Sequence, residues 1–92
     1  MELVYGETIG SMLHRTAYRF PDRPAIEFSG KVYTYSMVDS MSDEIARGLM
    51  AIGVTKGTNI GIWANDRPNT LLCFYGAVKI GAVPVVLNTS VL

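Results

Sequence analysis

The sequence has one cysteine, one histidine and few charged residues. A single cysteine cannot form a disulfide within the chain, and without clustered histidine or cysteine there is no zinc-ligand set. Eight basic and eight acidic residues give a formal net charge of zero, so no electrostatic attraction to nucleic acid or to an anionic membrane surface is expected. Charged residues make up 17% and hydrophobic residues 49% of the chain, a composition that excludes disorder.

Signals for export and for membrane insertion are also absent. Residues 1–10 contain two acidic residues and no basic region followed by an apolar block, so they do not resemble a signal peptide. The longest apolar tract, residues 71–87, is short for a membrane span and contains Lys79 and Pro84. We therefore expect a cytoplasmic protein without a membrane span, in which this tract forms a buried helix followed by a buried strand.

The first part of the chain predicts a helix and a hairpin. Apolar residues recur at helical spacing over Thr8–Phe20, and Pro21 ends the helix. Two short extended runs, Ala25–Phe28 and Val32–Tyr35, flank a turn that contains Gly30. This pattern is typical of two antiparallel strands.

A second helix is predicted from Ser36, with Asp39 completing a capping-box pattern, to a left-handed cap at Gly53. Val54 is expected to pack back on Leu49. The spacing of five apolar residues defines one face of the helix. They are Val38, Met41, Ile45, Leu49 and Ile52.

The last part of the chain predicts a strand, a helix and a strand. The segments are Asn59–Ala64, Asn65–Ile80 and Val83–Leu87, with Gly81 ending the helix. The helix is apolar on nearly every face, which predicts burial on all sides. A strand, helix and strand of these lengths form a βαβ unit with parallel strands. The fold class is therefore α/β: a helix, a β-hairpin, a helix and a βαβ unit.

Few residues are spaced in the sequence as catalytic or ligand-binding residues would be. His14 has no acid or thiol partner nearby in sequence, and we interpret it as a surface residue. Cys73 lies among apolar residues and is expected to be an inert buried thiol. Residues 76–81 have the glycine spacing of a phosphate loop but follow a helix and lack the required lysine, so they are interpreted as cap and turn.

Polar side chains follow both predicted parallel strands, at residues 65–67 and 88–90. Ligands of open α/β sheets bind at this end of the strands, but helix capping needs the same residue types and is the more generic role. Trp63, Phe74 and Tyr75 are interpreted as core residues, because no basic stripe accompanies them.

Four stretches together resemble a known family. They are Phe-Pro-Asp-Arg-Pro-Ala-Ile at 20–26, Tyr-Thr-Tyr-Ser at 33–36, Ile-Trp-Ala-Asn-Asp-Arg-Pro-Asn at 62–69 and Lys-Ile-Gly-Ala-Val-Pro-Val-Val-Leu-Asn-Thr at 79–89. In this order they resemble the extreme N-terminal part of the AMP-forming acyl-CoA synthetases, in the adenylate-forming superfamily. The last stretch is closer to fatty-acid and other acyl-CoA ligases than to peptide-synthetase adenylation domains.

The resemblance implies a parent enzyme that uses ATP and Mg²⁺ to form an acyl-adenylate from a carboxylic acid and then transfers the acyl group to coenzyme A. The motifs of that chemistry lie later in the family's sequences, so no catalytic, cofactor-binding or metal-binding residue carries over to this chain. Residues 1–92 are expected to be a single fragment of the N-terminal large (AMP-binding) domain. The rest of that domain and the small C-terminal domain are expected to be absent from these residues.

The fragment is expected to be inactive alone, with the remainder of the synthetase chain as its partner. It is also expected to self-associate through apolar surface that the rest of an enzyme would cover. A different interpretation stays open: a self-contained small α/β binding or interaction module with no enzymatic activity.

Overall fold

The computed structural model describes residues 9–63 and 67–87, which form three helices and two small sheets. The helices are α1 (Ile9–Arg19), α2 (Tyr35–Ala51) and α3 (Arg67–Lys79); the strands are β1 (Pro24–Phe28), β2 (Lys31–Thr34), β3 (Asn59–Ile62) and β4 (Val83–Val86). The α/β class and the predicted element order are confirmed. No helix in these two ranges is long and apolar enough to cross a membrane.

Both sheets have the predicted pairing. Strands β1 and β2 are antiparallel, and their two-residue loop has positive φ at Ser29 (53°) and Gly30 (80°), which is the signature of a type I′ turn. Strands β3 and β4 are parallel, in register from Asn59 opposite Val83 to Ile62 opposite Val86. Helix α3 is the crossover between them, so the βαβ unit is confirmed.

The start of α2 differs from the prediction. The N-cap is Thr34, whose hydroxyl accepts a hydrogen bond from the Met37 N–H at 3.2 Å. The predicted capping box of Ser36 with Asp39 is therefore wrong. The Ser36 N–H donates to the carbonyl of Pro21 at 3.0 Å instead, so the connector after α1 supplies part of the cap.

The end of α2 is as predicted. Gly53 has a φ of 97°, and the Val54 N–H donates to the Leu49 carbonyl at 3.0 Å. This is the hydrogen bond of a Schellman motif, which satisfies a carbonyl that the helix itself leaves free. Helix α3 ends in the same way at Gly81, whose φ is 78°.

The core lies where the three helices meet the hairpin. Leu13, Val38 and Leu72 are buried there, one from each helix. Helices α2 and α3 come very close where Gly76 faces Ile45. A Cβ atom on Gly76 would lie 2.6 Å from the Ile45 Cγ2 and 3.2 Å from the Ser42 carbonyl oxygen. Only glycine leaves room for the two helices at this crossing.

Several burial predictions are wrong. Ile52 is 78% exposed because it is the C-cap of α2, beyond the last helical turn that faces the core. Trp63 is 66% exposed and is not a core residue. Helix α3 is not buried on all sides, since Leu71 is exposed and Cys73 is only half-buried. The predicted residues Thr8, 64–66 and 88–90 lie outside the described residues.

Candidate functional site

A group of hydrogen-bonded charged side chains surrounds Lys79, the last residue of α3. Its Nζ donates to the Asp39 Oδ1 at 2.6 Å, the Asp39 backbone oxygen at 2.9 Å and the Asp43 Oδ1 at 2.7 Å. The lysine side chain is only 10% exposed. Asp39 and Asp43 lie one turn apart on α2, so one ammonium group bridges the two helices.

His14 brings α1 to the same group. Its Nδ1 lies 2.9 Å from the Asp39 Oδ2, while the ring itself is 70% exposed. We call these four residues the Lys79 cluster: His14, Asp39, Asp43 and Lys79. The prediction of a surface histidine is confirmed, and the structure adds an acid partner that is distant in sequence. The partner is 25 residues away in sequence, so no local spacing could show it.

Helix α1 lies directly against the stem of Lys79. A Cβ atom on Gly10 would be 3.0 Å from the Lys79 Cγ and 3.2 Å from its Cα. An open pocket of about 370 Å³ borders the cluster and is lined by Gly10, Ser11, His14, Asp43 and Lys79. The glycine thus permits α1 to lie against the lysine stem, while the Asp43 side chain stays 43% exposed at the open pocket.

Two opposing effects act on the pKa of Asp39. Burial raises it, and the hydrogen bonds and positive charges of Lys79 and His14 lower it. The net result is a pKa below the ordinary value. Asp39 is therefore a stable carboxylate that holds two helices, and it is not poised to exchange a proton near neutral pH.

The Lys79 cluster is suited to structure rather than to binding. An ammonium group has three N–H donors, and the three contacts to Asp39 and Asp43 use all of them. No donor is left for a phosphate group. Among residues 9–63 and 67–87, no group of three or more acidic, histidine or cysteine side chains is arranged to hold a metal ion.

The glycines of residues 76–81 have structural roles in this geometry. Gly76 lies inside α3 against Ile45, and Gly81 is the left-handed residue after the helix. The interpretation as cap and turn is confirmed for Gly81 and is wrong for Gly76, which is a helical residue at a close helix crossing. Cys73 is a free thiol on α3.

The β3–β4 pair presents a second feature, a surface of exposed apolar side chains. We call it the β4 surface; it consists of Val83, Val85, Val86 and Leu87, all of them exposed. Val83 and Val85 lie on one face of β4 and Val86 on the other, whereas parallel strands are normally covered on both faces. The β4 surface is therefore a candidate contact surface.

Comparison with known proteins identifies the family of the chain. Residues 13–91 match the family of AMP-binding enzymes. The chain belongs to this family. In solved structures it is similar to the N-terminal subdomain of NpsA from Klebsiella oxytoca, with a TM-score of 0.87 and 26% identity over 91% of this chain and 22% of that one. It is also similar to a fatty acyl CoA synthetase of Mycobacterium tuberculosis, with a TM-score of 0.79 and 34% identity over 89% of this chain and 17% of that one.

Among curated proteins, the chain is 40% identical over 91 residues to YngI of Bacillus subtilis, which is named as an acyl-CoA synthetase. It is 34% identical over 85 residues to the acyl-CoA ligase sidI of Aspergillus fumigatus. These matches cover 97% and 90% of this chain but only 16% and 14% of the relatives. The chain therefore spans about a sixth of the length of the relatives it matches.

Proposed function

We propose that this chain is the N-terminal part of the large domain of an AMP-forming acyl-CoA synthetase. The whole enzyme would join a carboxylic acid to AMP, release pyrophosphate and pass the acyl group to coenzyme A. The observation that carries the proposal is the family match over residues 13–91, combined with relatives named as acyl-CoA synthetases or ligases.

The proposed role of this part is to build the domain rather than to supply reacting groups. Two observations support this role: the donors of Lys79 are used within the cluster, and no metal-ligand group occurs among residues 9–63 and 67–87. Catalytic, cofactor-binding and metal-binding residues would then all lie elsewhere in the parent enzyme. ATP, Mg²⁺ and coenzyme A would bind there.

For the substrate we propose a fatty acid or a related carboxylic acid. Support comes from relatives named as a long-chain-fatty-acid CoA ligase of Bacillus subtilis, 32% identical over 82 residues, and a medium/long-chain-fatty-acid CoA ligase of Mycobacterium tuberculosis, 32% identical over 81 residues. A cytoplasmic location for the parent enzyme stays a prediction.

A chimera tests the proposed function. The segment of YngI that matches this chain is replaced by residues 1–92, and pyrophosphate release and acyl-CoA formation are measured with fatty acids of several lengths. We expect turnover that depends on fatty acid, ATP and coenzyme A. A YngI variant lacking the segment is the control and should be inactive. A folded chimera without turnover would contradict the proposal.

The 92-residue chain alone should neither bind nor hydrolyse ATP. Calorimetric titration with MgATP should give no heat of binding beyond dilution. A micromolar isotherm would show that the chain has a nucleotide site of its own and would favour the interpretation as an independent module.

A further inference from the structure

Phe20, which directly follows α1, has two arginine side chains against its ring. The Arg19 Cζ lies 5.3 Å and the Arg23 Cζ 4.3 Å from the centroid of that ring, within the range of a cation–π interaction. Phe20 is half-buried and both arginines are exposed. We call these three residues the Phe20 surface. Because the ring already restricts each guanidinium group, less side-chain freedom is lost when a partner binds.

The two cations of the Phe20 surface have no acidic partner in the part of the chain that the structure describes. Neither guanidinium group forms an ion pair within residues 9–63 and 67–87, although Asp22 lies between the two arginines in sequence. Lys79, by contrast, uses all of its donors on oxygen atoms of α2. The N–H donors of Arg19 and Arg23 are therefore available to a carboxylate from another molecule.

The segment that presents Arg23 is held in one conformation. Pro21 and Pro24 each have a fixed φ. The Ser36 N–H donates to the Pro21 carbonyl and the Tyr35 N–H donates to the Arg23 carbonyl, both at 3.0 Å. These two hydrogen bonds fasten the segment to the first turn of α2. The surface is thus positioned before a partner arrives, which lowers the cost of binding.

The surroundings of the Phe20 surface are basic, in a chain of zero net charge. Residues 15–31 contain four basic and two acidic residues, whereas the rest of the chain contains four basic and six acidic residues. The neighbouring Tyr18 is 85% exposed. Arginine and aromatic side chains are enriched in protein interfaces and often supply most of the binding energy. Charge and residue type therefore both favour a contact with a negatively charged protein.

We propose that the Phe20 surface binds an acidic segment of a partner protein. Each guanidinium group can form a bidentate pair with a carboxylate. An anionic membrane suits the surface less well, since Asp22 and Glu27 oppose its attraction to the nearby basic residues. A free phosphate suits it less well because small ligands bind in concave sites, and both arginines are exposed. This inference does not depend on the proposed function.

Fluorescence anisotropy of a labelled hexaglutamate peptide, titrated with the 92-residue chain at low ionic strength, tests the inference. We expect saturable binding that Arg19→Gln and Arg23→Gln each weaken by about fivefold. Arg23→Lys keeps the charge but loses the planar fork of donors, so it should bind at least about twofold more weakly. Arg47→Gln removes the same charge from an exposed position of α2. It is the matched control and should leave the affinity unchanged, and circular dichroism should show the same helix content in every variant.

The absence of saturable binding would overturn the inference. Equal losses in Arg23→Gln and Arg47→Gln would also overturn it, because the peptide would then respond to total charge alone. Co-sedimentation of the chain with phosphatidylglycerol vesicles, abolished by Arg23→Gln and without peptide binding, would assign the surface to a membrane instead.

The YngI chimera shows whether the Phe20 surface stays open in a whole enzyme. We expect the folded chimera to bind the peptide and to lose about fivefold in affinity with Arg23→Gln. A folded chimera in which Arg23→Gln has no effect on peptide binding would show that the rest of the enzyme covers the surface, and would overturn the inference. Turnover of the chimera plays no part in this measurement, so failure of the inference and failure of the proposed function are distinguishable.

Discussion

The layer formed by helices α1, α2 and α3 differs from the β3–β4 pair in how its polar groups are paired and how its apolar side chains are covered. Between α1, α2 and α3, the Lys79 cluster pairs its buried charges, and no buried side-chain nitrogen or oxygen in the described residues lacks a partner. On the β3–β4 pair, four apolar side chains of the β4 surface are exposed, and within the described residues each strand pairs along one edge alone. The helices also expose apolar side chains such as Tyr18 and Leu71, so the two regions differ most in their ion pairs and in the cover of the parallel strands.

The largest loss of stability is expected where α2 and α3 touch. Gly76→Leu would place a Cβ atom 2.6 Å from Ile45 and near the Ser42 backbone. Because this distance is shorter than any normal contact, the two helices must move apart. We expect the free energy of unfolding to fall by about 3 kcal/mol or more, which is the upper end of the loss caused by a side chain too large for its site. Urea denaturation followed by circular dichroism measures it.

Gly48→Ala is the matched control, since nothing lies within 4 Å of a Cβ at that exposed helical position. It should leave stability unchanged or raise it by up to about 1 kcal/mol. Equal losses in the two variants would show that the α2–α3 crossing does not control the fold.

Removing the central charge of the Lys79 cluster should have the next largest effect. Lys79→Met keeps the aliphatic stem beneath Gly10 but leaves the Asp39 carboxylate without its main partner. Breaking one side of a largely buried pair should cost roughly 2–4 kcal/mol. Arg47→Met, at an exposed position of α2, is the control and should cost less than about 0.5 kcal/mol. Thermal denaturation of both variants measures the loss of stability. Equal losses would show that the Lys79 cluster does not stabilise the fold.

The stabilising effect of Asp39 should depend on pH in one direction. Its pKa is lowered in the folded protein, so the stabilisation is fully present above the unfolded pKa of about 3.9. It is lost as the pH falls through the lower folded pKa. The melting temperatures of the wild-type chain and Asp39→Asn should therefore converge in acid and differ most near neutral pH. If the difference between the two melting temperatures grew as the pH fell, the direction assigned to the Asp39 pKa shift would be wrong.

The β4 surface should produce weak self-association of the isolated chain. Zero net charge provides little repulsion between copies, and the exposed valines provide an apolar contact. Val85→Lys should shift light-scattering profiles toward the monomer, and Tyr18→Lys, at an exposed position on α1, should not. A wild-type monomer of about 10 kDa at high micromolar concentration would contradict this and favour a self-contained module.

The features that local residues determine were predictable from the sequence. The cap at Gly53 depends on a left-handed residue and its neighbours, and the parallel pair depends on a strand, a helix and a strand in succession. The Lys79 cluster was not predictable, because its contacts between helices join residues that are 25 to 40 positions apart in sequence. Trp63 was misassigned because apolar character alone does not show which structure covers a side chain.

Hydrogen exchange across the whole isolated chain tests the contrast between the two regions most directly. The amides in the middle of α2 and α3 should be protected by the full free energy of unfolding, while those of β3 and β4 should exchange at least about tenfold faster through local opening. That result would show that the helices are stable within this chain, whereas the β3–β4 pair needs further structure for full stability. Equal protection of the helices and of β3 and β4 would contradict the account and show that these residues form a complete domain.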